Sequence, residues 1–452
     1  MSAERFQPAG SLGGTLTPPP DKSISHRAAI LAAMAEGEYR IGGYLDSADT
    51  RSTLAAVAGL GARVEELGPS VTPGGIDVRV DGIGLRGPGE RAASEEARID
   101  VGNAGTLLRL LPGWLAGQPS GIWELDGDES IRRRPIDRVL QPLRLMGAGV
   151  SSPDDRLPPL RVAGAPLRGI SYELPVASAQ VKSCLLLAGL LADGPTEVLE
   201  PAPSRDHTER MLVAAGARVT SHVAATPVVI RGALPGRRVR VEPADRLAGC
   251  DFEVPGDFSS AAFLIVAALL IPGSRVRLEG VGLNPTRVGL LGVLNRMGAA
   301  VEVEEGIPLG GEPRGAVTAR SGPLVATRVA PGEVPATIDE LPLVGLAACF
   351  AEGETVVTGA GELRHKESDR IAAVVDGLNA LGADAEAYED GFAVRGTGGL
   401  RGGRLDPQAD HRLAMMGAIA GLASRDGVEV TGFEAAGFSY PGFEADLRSL
   451  LE

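Results

Sequence analysis

Seven short strings in this chain concentrate side chains that can hold anions or move protons. Asp21-Lys22-Ser23-Ile24-Ser25-His26-Arg27 puts a cation, a hydroxyl and a guanidinium at the start of a small-residue helix. Ser23 and Arg27, four apart, share a helix face, and the free N–H groups of a helix start favour an anion. Gly102-Asn103-Ala104-Gly105-Thr106 opens a second such helix, which carries Arg109, and its glycines let a ligand approach the backbone. Arg132-Arg133-Arg134-Pro135 lines up guanidinium groups suited to carboxylates, of which at most one or two reach a single site. Ser178-Ala179-Gln180-Val181-Lys182, with Ser204-Arg205-Asp206-His207 downstream, supplies hydroxyl and guanidinium types that cradle a phosphate. Lys182, two residues past Gln180, points about 200° away from it on a helix and reads as a structural or surface lysine. Asp339-Glu340, Arg364-His365-Lys366-Glu367-Ser368-Asp369-Arg370 and Asp410-His411-Arg412 complete the set.

Taken singly, each string has a plain reading as a cap, a glycine-rich helix entry, a basic turn or a solvated charged face. Their joint placement says more. Five of six small-residue helix blocks open on charged or polar groups at the same relative position, and the fourth has only Asp257 to Ser260. In a pseudo-symmetric fold, equivalent positions gather on one face, so two such faces would line one cleft. Lys22, Arg27, Lys366, Arg370, Arg412 and Arg134 would make that cleft cationic and suited to one or two polyanionic substrates. Asp339 and Glu367 repel anions, and they make sense there as proton-handling groups beside a lysine whose neighbours depress its pKa.

The elements that must position these residues are visible as internal repeats. One block is an amphipathic helix ending in Gly-Ala and leading to a strand: the pairs start at Gly61, Gly147, Gly216, Gly298 and Gly382, with FEADLRSLLE as a truncated sixth helix. Glycine at the left-handed C′ position is the expected stop. The other block, in six copies from SISHRAAILAAMAEGEYRI to DHRLAMMGAIAGLASRDGVEV, has helices apolar on nearly every face, which must be buried. The result is an α/β protein of six units in two lobes. Pro18-Pro19-Pro20 is the expected hinge, and VEPADRLAG near residue 245 the second crossing. The segment VPATI before Asp339 reads as strand. Gly82-Ile-Gly84-Leu-Arg-Gly87 runs into Pro88-Gly89 and reads as a loop, not a dinucleotide fingerprint.

Composition bounds the function. The 452 residues carry a net charge of −14 with 44% hydrophobic residues, which excludes disorder and argues against coating nucleic acid or an anionic membrane. Only three of the 44 basic residues are lysines: Lys22, Lys182 and Lys366. Cys184, Cys250 and Cys349 have no metal spacing and read as buried reduced thiols. The N-terminus lacks an apolar h-region and no apolar run reaches about 20 residues, so a soluble cytoplasmic protein is expected.

The strings PPPDKSISHRAAILAAMAEG, GNAGTLLRLL, RRRPIDRVLQPLRLMGA, PVASAQVKSCLLLAGL, SRDHTERML, TIDELPLVGLAA, HKESDRI and DHRLAMM, in a chain covered from about Gly14 to its end, closely resemble the 5-enolpyruvylshikimate-3-phosphate synthases of the enolpyruvyl transferase family. The resemblance implies a two-lobed inside-out α/β barrel of six βαβαββ repeats, three per lobe. Residues 21–245 would form one lobe, and 1–20 with 246–452 the other, with the N-terminal strand in the C-terminal lobe. It implies transfer of the enolpyruvyl group of phosphoenolpyruvate to the 5-hydroxyl of shikimate 3-phosphate, on the shikimate pathway to chorismate and the aromatic amino acids, by a monomer needing no cofactor or metal. Lys22, Ser23, Arg27, Ser178, Ala179, Gln180, Ser204, Arg205, Asp339 and Lys366 would meet shikimate 3-phosphate. Lys22, Asn103, Gly105, Arg134, Gln180, Arg370 and Arg412 would meet phosphoenolpyruvate. Asp339, Glu367, Lys366 and Lys22 would be catalytic, and Gly105 would leave room for the competitive analogue glyphosate. The chain departs from relatives at Ser130, His207 and Phe438, where some have Arg, Tyr and Lys. A UDP-sugar enolpyruvyl transferase would share the fold but show a nucleophilic loop cysteine, and a non-catalytic anion-binding protein would not need Asp339 and Glu367 among the cations.

Overall fold

The computed structural model describes residues 3–91, 96–223, 236–249 and 251–451. Its strands form five four-stranded sheets and a three-stranded one, besides two small two-stranded pairings. Each four-stranded sheet follows one plan. In the sheet of Ala97–Asp100, Ile122–Asp126, Leu160–Ala163 and Gly149–Ser151, the first pair is parallel and the next two are antiparallel. The parallel connection between neighbours is made by the buried helix Gly105–Ala116; the amphipathic helix Asp137–Leu145 leads on to the edge strand Gly149–Ser151, and the antiparallel return runs from there to Leu160–Ala163. That division explains the two helix types in the sequence: one is covered on all sides, the other has a wet face.

Six helices are buried nearly throughout: Lys22–Met34, Gly105–Ala116, Ala179–Gly189, Phe258–Leu270, Leu341–Ala348 and His411–Ala423. Their small residues are required by close approach: a Cβ on Gly113 would lie 2.1 Å from the Cys184 carbonyl oxygen of the neighbouring helix. A mid-helix glycine costs about 1 kcal/mol against alanine, which such packing must offset. The recurring Gly-Ala stop also has its expected geometry, since Gly61, Gly147, Gly216, Gly298 and Gly382 all have positive φ.

The buried apolar residues fall into two clusters. One runs from Ile24 to Val254; the other joins Phe6 and Leu12 to residues from Phe258 onward. The N-terminus belongs to the second because Ala3–Phe6 pairs antiparallel with Val428–Thr431 and Gly13–Leu16 pairs parallel with Arg275–Gly282. In exchange, Phe252–Glu253 pairs parallel with Glu36–Leu45 in the first lobe. The second crossing therefore lies at 255–257, about ten residues beyond the expected 245, because a strand after that point still completes the first lobe's sheet. The two crossings are clamped together: Asp21 N–H donates to Pro255 O at 2.8 Å and Asp257 N–H to Pro19 O at 2.7 Å.

Two local expectations are corrected. VPATI is not strand: Val334–Thr337 is a short helix, with proline at a first-turn position where no N–H is needed. The segment from Gly82 ends the strand Gly75–Ile83 and then opens a five-residue helix, Gly87–Arg91, whose proline likewise occupies the first turn.

Candidate active site

Helix starts bring the candidate residues to the facing surfaces of the two lobes. On the first lobe, Asp21 caps Lys22–Met34 by accepting from Ile24 N–H at 2.8 Å. Lys22 Nζ lies 3.0 Å from Asp49, whose carboxyl is held low by Lys22 against the upward push of burial. Arg27, buried one turn on, donates from Nε to Thr208 Oγ1 at 2.8 Å, from Nη1 to the Ser23 carbonyl at 2.9 Å and from Nη2 to Ser183 Oγ at 3.1 Å. Its partners are neutral. Burial, with Arg205 adding to it, brings this guanidinium down to about 10. A buried charge with only neutral hydrogen-bond partners is costly, so the position is suited to an anion.

Of the three consecutive arginines, two face outward. Arg132 pairs with Asp126 and Arg133 with Glu129, both exposed, whereas Arg134 donates to Asn103 Oδ1 at 2.8 Å and lies 3.8 Å from Glu367 of the opposite lobe. A Cβ on Gly105 would stand 3.0 Å from Nη1 of both Arg109 and Arg134, so the absent side chain leaves the space in which these guanidinium groups sit. Gln180 Nε2 donates to Thr106 Oγ1 at 3.2 Å, and Ser178 caps its helix by accepting from Val181 N–H. Ala179 offers only backbone, and its carbonyl already accepts from Ser183 Oγ at 2.7 Å.

The second lobe gathers acids and bases together. Asp339, buried just before Leu341–Ala348, faces Arg205 at 2.7 Å, Arg370 and Arg287 at 3.5 Å, Arg412 at 3.6 Å and Lys366 at 3.8 Å. Burial works against its charge, but Arg412, Lys366, Arg205 and Arg287 together hold its carboxyl well below the usual range. Glu367 is 2.6 Å from Arg370 and is likewise held well below the ordinary value by Arg370, His411 and Arg134 against burial. Arg370, 1% exposed, also pairs with Asp410 at 2.7 Å. Lys366 is pushed below the ordinary lysine value by burial, with Asp339 opposing and Arg370 adding to the push.

Arg205 spans the cleft: it reaches Ser23 Oγ at 3.3 Å on its own lobe and Asp339 on the other. Ser204 donates its hydroxyl to the Glu200 carboxylate, and its carbonyl accepts from Lys182 Nζ at 3.4 Å. Lys182 is not a surface residue. At 1% exposure it lies 2.9 Å from Glu200 and 2.7 Å from Glu209.

Several further residues at the site are not singled out by the sequence reading, some of them inside the strings quoted above. Thr208, Ser183 and Asp49 fix Arg27 and Lys22, and Arg138 makes a two-pronged pair with Glu362 across the lobes at 2.9 Å. Arg287 is the most consequential, holding Ser259, Glu340 and Asp339 from a short segment after the strand Arg275–Gly282. One signal pointed to it: the fourth buried helix opens on Asp257 and two serines with no cation of its own, so one had to come from elsewhere.

No described group of three or more His, Cys, Asp or Glu is arranged to hold a metal ion, and no described helix is long and apolar enough to cross a membrane. Cys184 and Cys349 are buried, and burial pushes both thiols up to about 12; Cys250 lies outside the described residues. Neither described thiol is the activated loop nucleophile of the competing reading.

Comparison with known proteins agrees along the whole chain. It matches the family described as EPSP synthase (3-phosphoshikimate 1-carboxyvinyltransferase) over residues 6–447. It is 49% identical to a 3-phosphoshikimate 1-carboxyvinyltransferase of Thermus thermophilus, over 100% of this chain and 99% of that protein. It is 46% identical to the enzyme of that name from a Synechococcus species, over 99% and 96%. The solved EPSP synthase of Acinetobacter baumannii superposes with TM-score 0.84 at 39% identity, over 99% of this chain and 98% of that one. The enolpyruvyl transferase NikO of Streptomyces tendae shares the fold, with TM-score 0.74 at 17% identity over 99% and 96%. With its six-unit fold, its cation-lined cleft and these matches, the chain belongs to the EPSP synthase family.

Proposed function

We propose that this chain, acting as a cytoplasmic monomer, transfers the enolpyruvyl group of phosphoenolpyruvate to the 5-hydroxyl of shikimate 3-phosphate and releases inorganic phosphate. The observation that carries the reading is Asp339, an ionised carboxylate set among cations on the face opposite the anion-ready Arg27. A site built only to bind anions would not place a buried carboxylate at their meeting point.

The chemistry follows from the geometry. Arg27, Lys22, Ser23 and the Ser178–Gln180 helix start receive shikimate 3-phosphate, with Ser204 acting through the placement of Arg205. Arg134, Arg370, Arg412 and the backbone around Asn103 and Gly105 receive phosphoenolpyruvate. Asp339 takes the proton of the 5-hydroxyl as its oxygen bonds to C2 of phosphoenolpyruvate, while the methylene carbon gains a proton from the Glu367–Lys366 pair. Electrostatics divides that pair: Lys366, pushed down by burial, is the member able to release a proton, and Glu367, held ionised, is the member able to accept one. In the elimination the methyl carbon returns a proton to the pair, the C–O bond to phosphate breaks as the enol ether forms, and the proton held by Asp339 passes to the departing phosphate, restoring the carboxylate. Oriented acid and base groups of this kind contribute about 10² to 10⁴-fold each.

Phosphate release by the purified protein, with the two substrates added singly and together, tests the reading. Release only with both supports it; release with neither combination, or with phosphoenolpyruvate alone, overturns it.

A further inference from the structure

Five cations face the Asp339 carboxylate, and one differs from the rest. Arg205, Lys366, Arg370 and Arg412 lie among the residues assigned above to anionic substrates. Arg287 does not. Its side chain is 6% exposed, and its partners are all internal to the second lobe: Ser259, Glu340 at 3.3 Å, Asp339 at 3.5 Å and Asp257 at 3.7 Å. Its buried Nε has no hydrogen-bond partner, so Arg287 is fixed through its two terminal nitrogens, one of which faces both Asp339 and Glu340.

The segment that carries it is braced. Arg287 N–H donates to Asn284 O at 2.8 Å, Thr286 N–H to Asn284 Oδ1 at 2.9 Å, and Asn284 Nδ2 to Asp206 at 2.7 Å, beside Arg205 on the opposite lobe. Nearby acids do not compete equally for the guanidinium. Asp257, pushed up to about 6 first by burial and then by Asp21, stays mostly ionised at neutral pH, but at 3.7 Å it is the farthest of the carboxylates around Arg287. Glu340 and Asp339 remain as its main partners.

We propose that Arg287 is a positioning residue for proton transfer: the buried counter-ion that keeps Asp339 ionised and aimed while the other four cations engage the two substrates. This rests on the reading of Asp339 as the group that takes the hydroxyl proton. Two polyanionic substrates draw Arg205, Lys366, Arg370 and Arg412 toward themselves and leave Asp339 with less positive charge around it. A carboxylate in a site this dry would then rise in pKa and lose its fitness as a base at lower pH. Arg287, 6% exposed and bonded through its side chain only to groups of its own lobe, is not free to be drawn off and sets the lower limit of that rise.

The test is the pH dependence of kcat for the full chain, with both substrates saturating and phosphate release as the readout. Activity on the acid limb needs ionised Asp339, so removing a cation that favours ionisation must move that limb to higher pH. An opposite charge at this range shifts a carboxyl by about one unit or more. Arg287→Met is therefore expected to raise the limb by about one pH unit and to lower turnover about tenfold below it, with the plateau largely kept. Arg287→Lys should hold the limb near its original position. Because Arg287→Met leaves Glu340 unpaired, the double variant Arg287→Met/Glu340→Gln is measured beside it, and the same shift is expected there. An unmoved limb in all variants, or an equal loss of turnover at every pH, overturns the inference. Asp339→Asn separates the two claims: if it keeps turnover, the reading of Asp339 fails and the inference with it. If it loses turnover while the Arg287 variants leave the limb in place, the Arg287 inference alone fails.

Discussion

The two faces of the cleft use their cations in opposite ways. On the first lobe, Arg27 is held by two hydroxyls and a carbonyl, and Arg134 by an amide and a serine hydroxyl; the carboxylates nearest Arg134 and Arg205, Glu367 and Asp339, come from the opposite lobe, and of these cations only Lys22 has a carboxylate of its own lobe beside it. On the second, Arg287, Arg370 and Arg412 are packed against Asp339, Glu340, Glu367 and Asp410. A cation whose hydrogen-bond partners are neutral keeps charge to offer an incoming anion, which suits the first face to the binding role proposed for it. Cations already balanced by carboxylates form a set in which an arriving anion redistributes charge and shifts proton affinities, so the second face can run proton transfer.

The contrast can be broken most directly at Asp339. Asp339→Asn keeps the side-chain shape and removes the base, so kcat should fall about 10² to 10⁴-fold while the KM for shikimate 3-phosphate changes only a few-fold. Steady-state phosphate release checks it, and a kcat left intact would show that the second face only binds.

A second contrast sets Lys182 against Lys366. Lys182 is sealed between Glu200 and Glu209, and removing one partner of a fully buried pair costs about 3–5 kcal/mol. Lys182→Met should therefore lower the denaturant midpoint of the first lobe markedly, whereas Lys366→Met, at a partly exposed position, should leave the midpoint in place and remove turnover. Equal stability losses in both would erase the distinction between a structural and a working lysine.

Arg27→Gln tests the binding face. Hydrogen bonds to a charged group are worth about 1.5–3 kcal/mol, so the KM for shikimate 3-phosphate should rise by about 10- to 100-fold with kcat far less affected. A loss confined to kcat would move Arg27 to the chemical side of the comparison.

The smallest expected effect is at Gly105. A Cβ there would press on the flexible ends of Arg109 and Arg134, which can yield by a few tenths of an ångström. Gly105→Ala should raise the KM for phosphoenolpyruvate by about tenfold or less and raise the inhibition constant of glyphosate further, because the resemblance puts the analogue in the space that Gly105 leaves. Competition assays against phosphoenolpyruvate measure both; identical changes would show that the methyl group acts on the arginines alone.

Much of this protein was legible in its residues because the information is local. Helices apolar on every side cannot lie on a surface, Gly-Ala after an amphipathic stretch stops a helix, and polar openings on buried helices must meet where the helices start. Those rules yielded the six units, the lobes and most of the cleft residues. The strand of Phe252–Glu253 was not legible, because two residues carry no periodicity and their partner lies more than 200 positions earlier. For the same reason VPATI passed as strand: β-branched residues favour that reading, and the proline that allows a helix start acts only once the following turn is placed.

The choice among cations was the other gap. By itself the sequence determined that arginine and lysine gather at helix starts, that Asp339 and Glu367 stand among them, and that three lysines are exceptions in an arginine-rich chain. Only the tertiary structure decided that Arg134, and not Arg132 or Arg133, turns to the cleft, that Lys182 is a buried structural ion, and that Arg287 completes the surroundings of Asp339. Charge type is written in one residue, but what a charge does depends on how far it is from water and from its counter-ions, and those distances are set by segments remote in the chain.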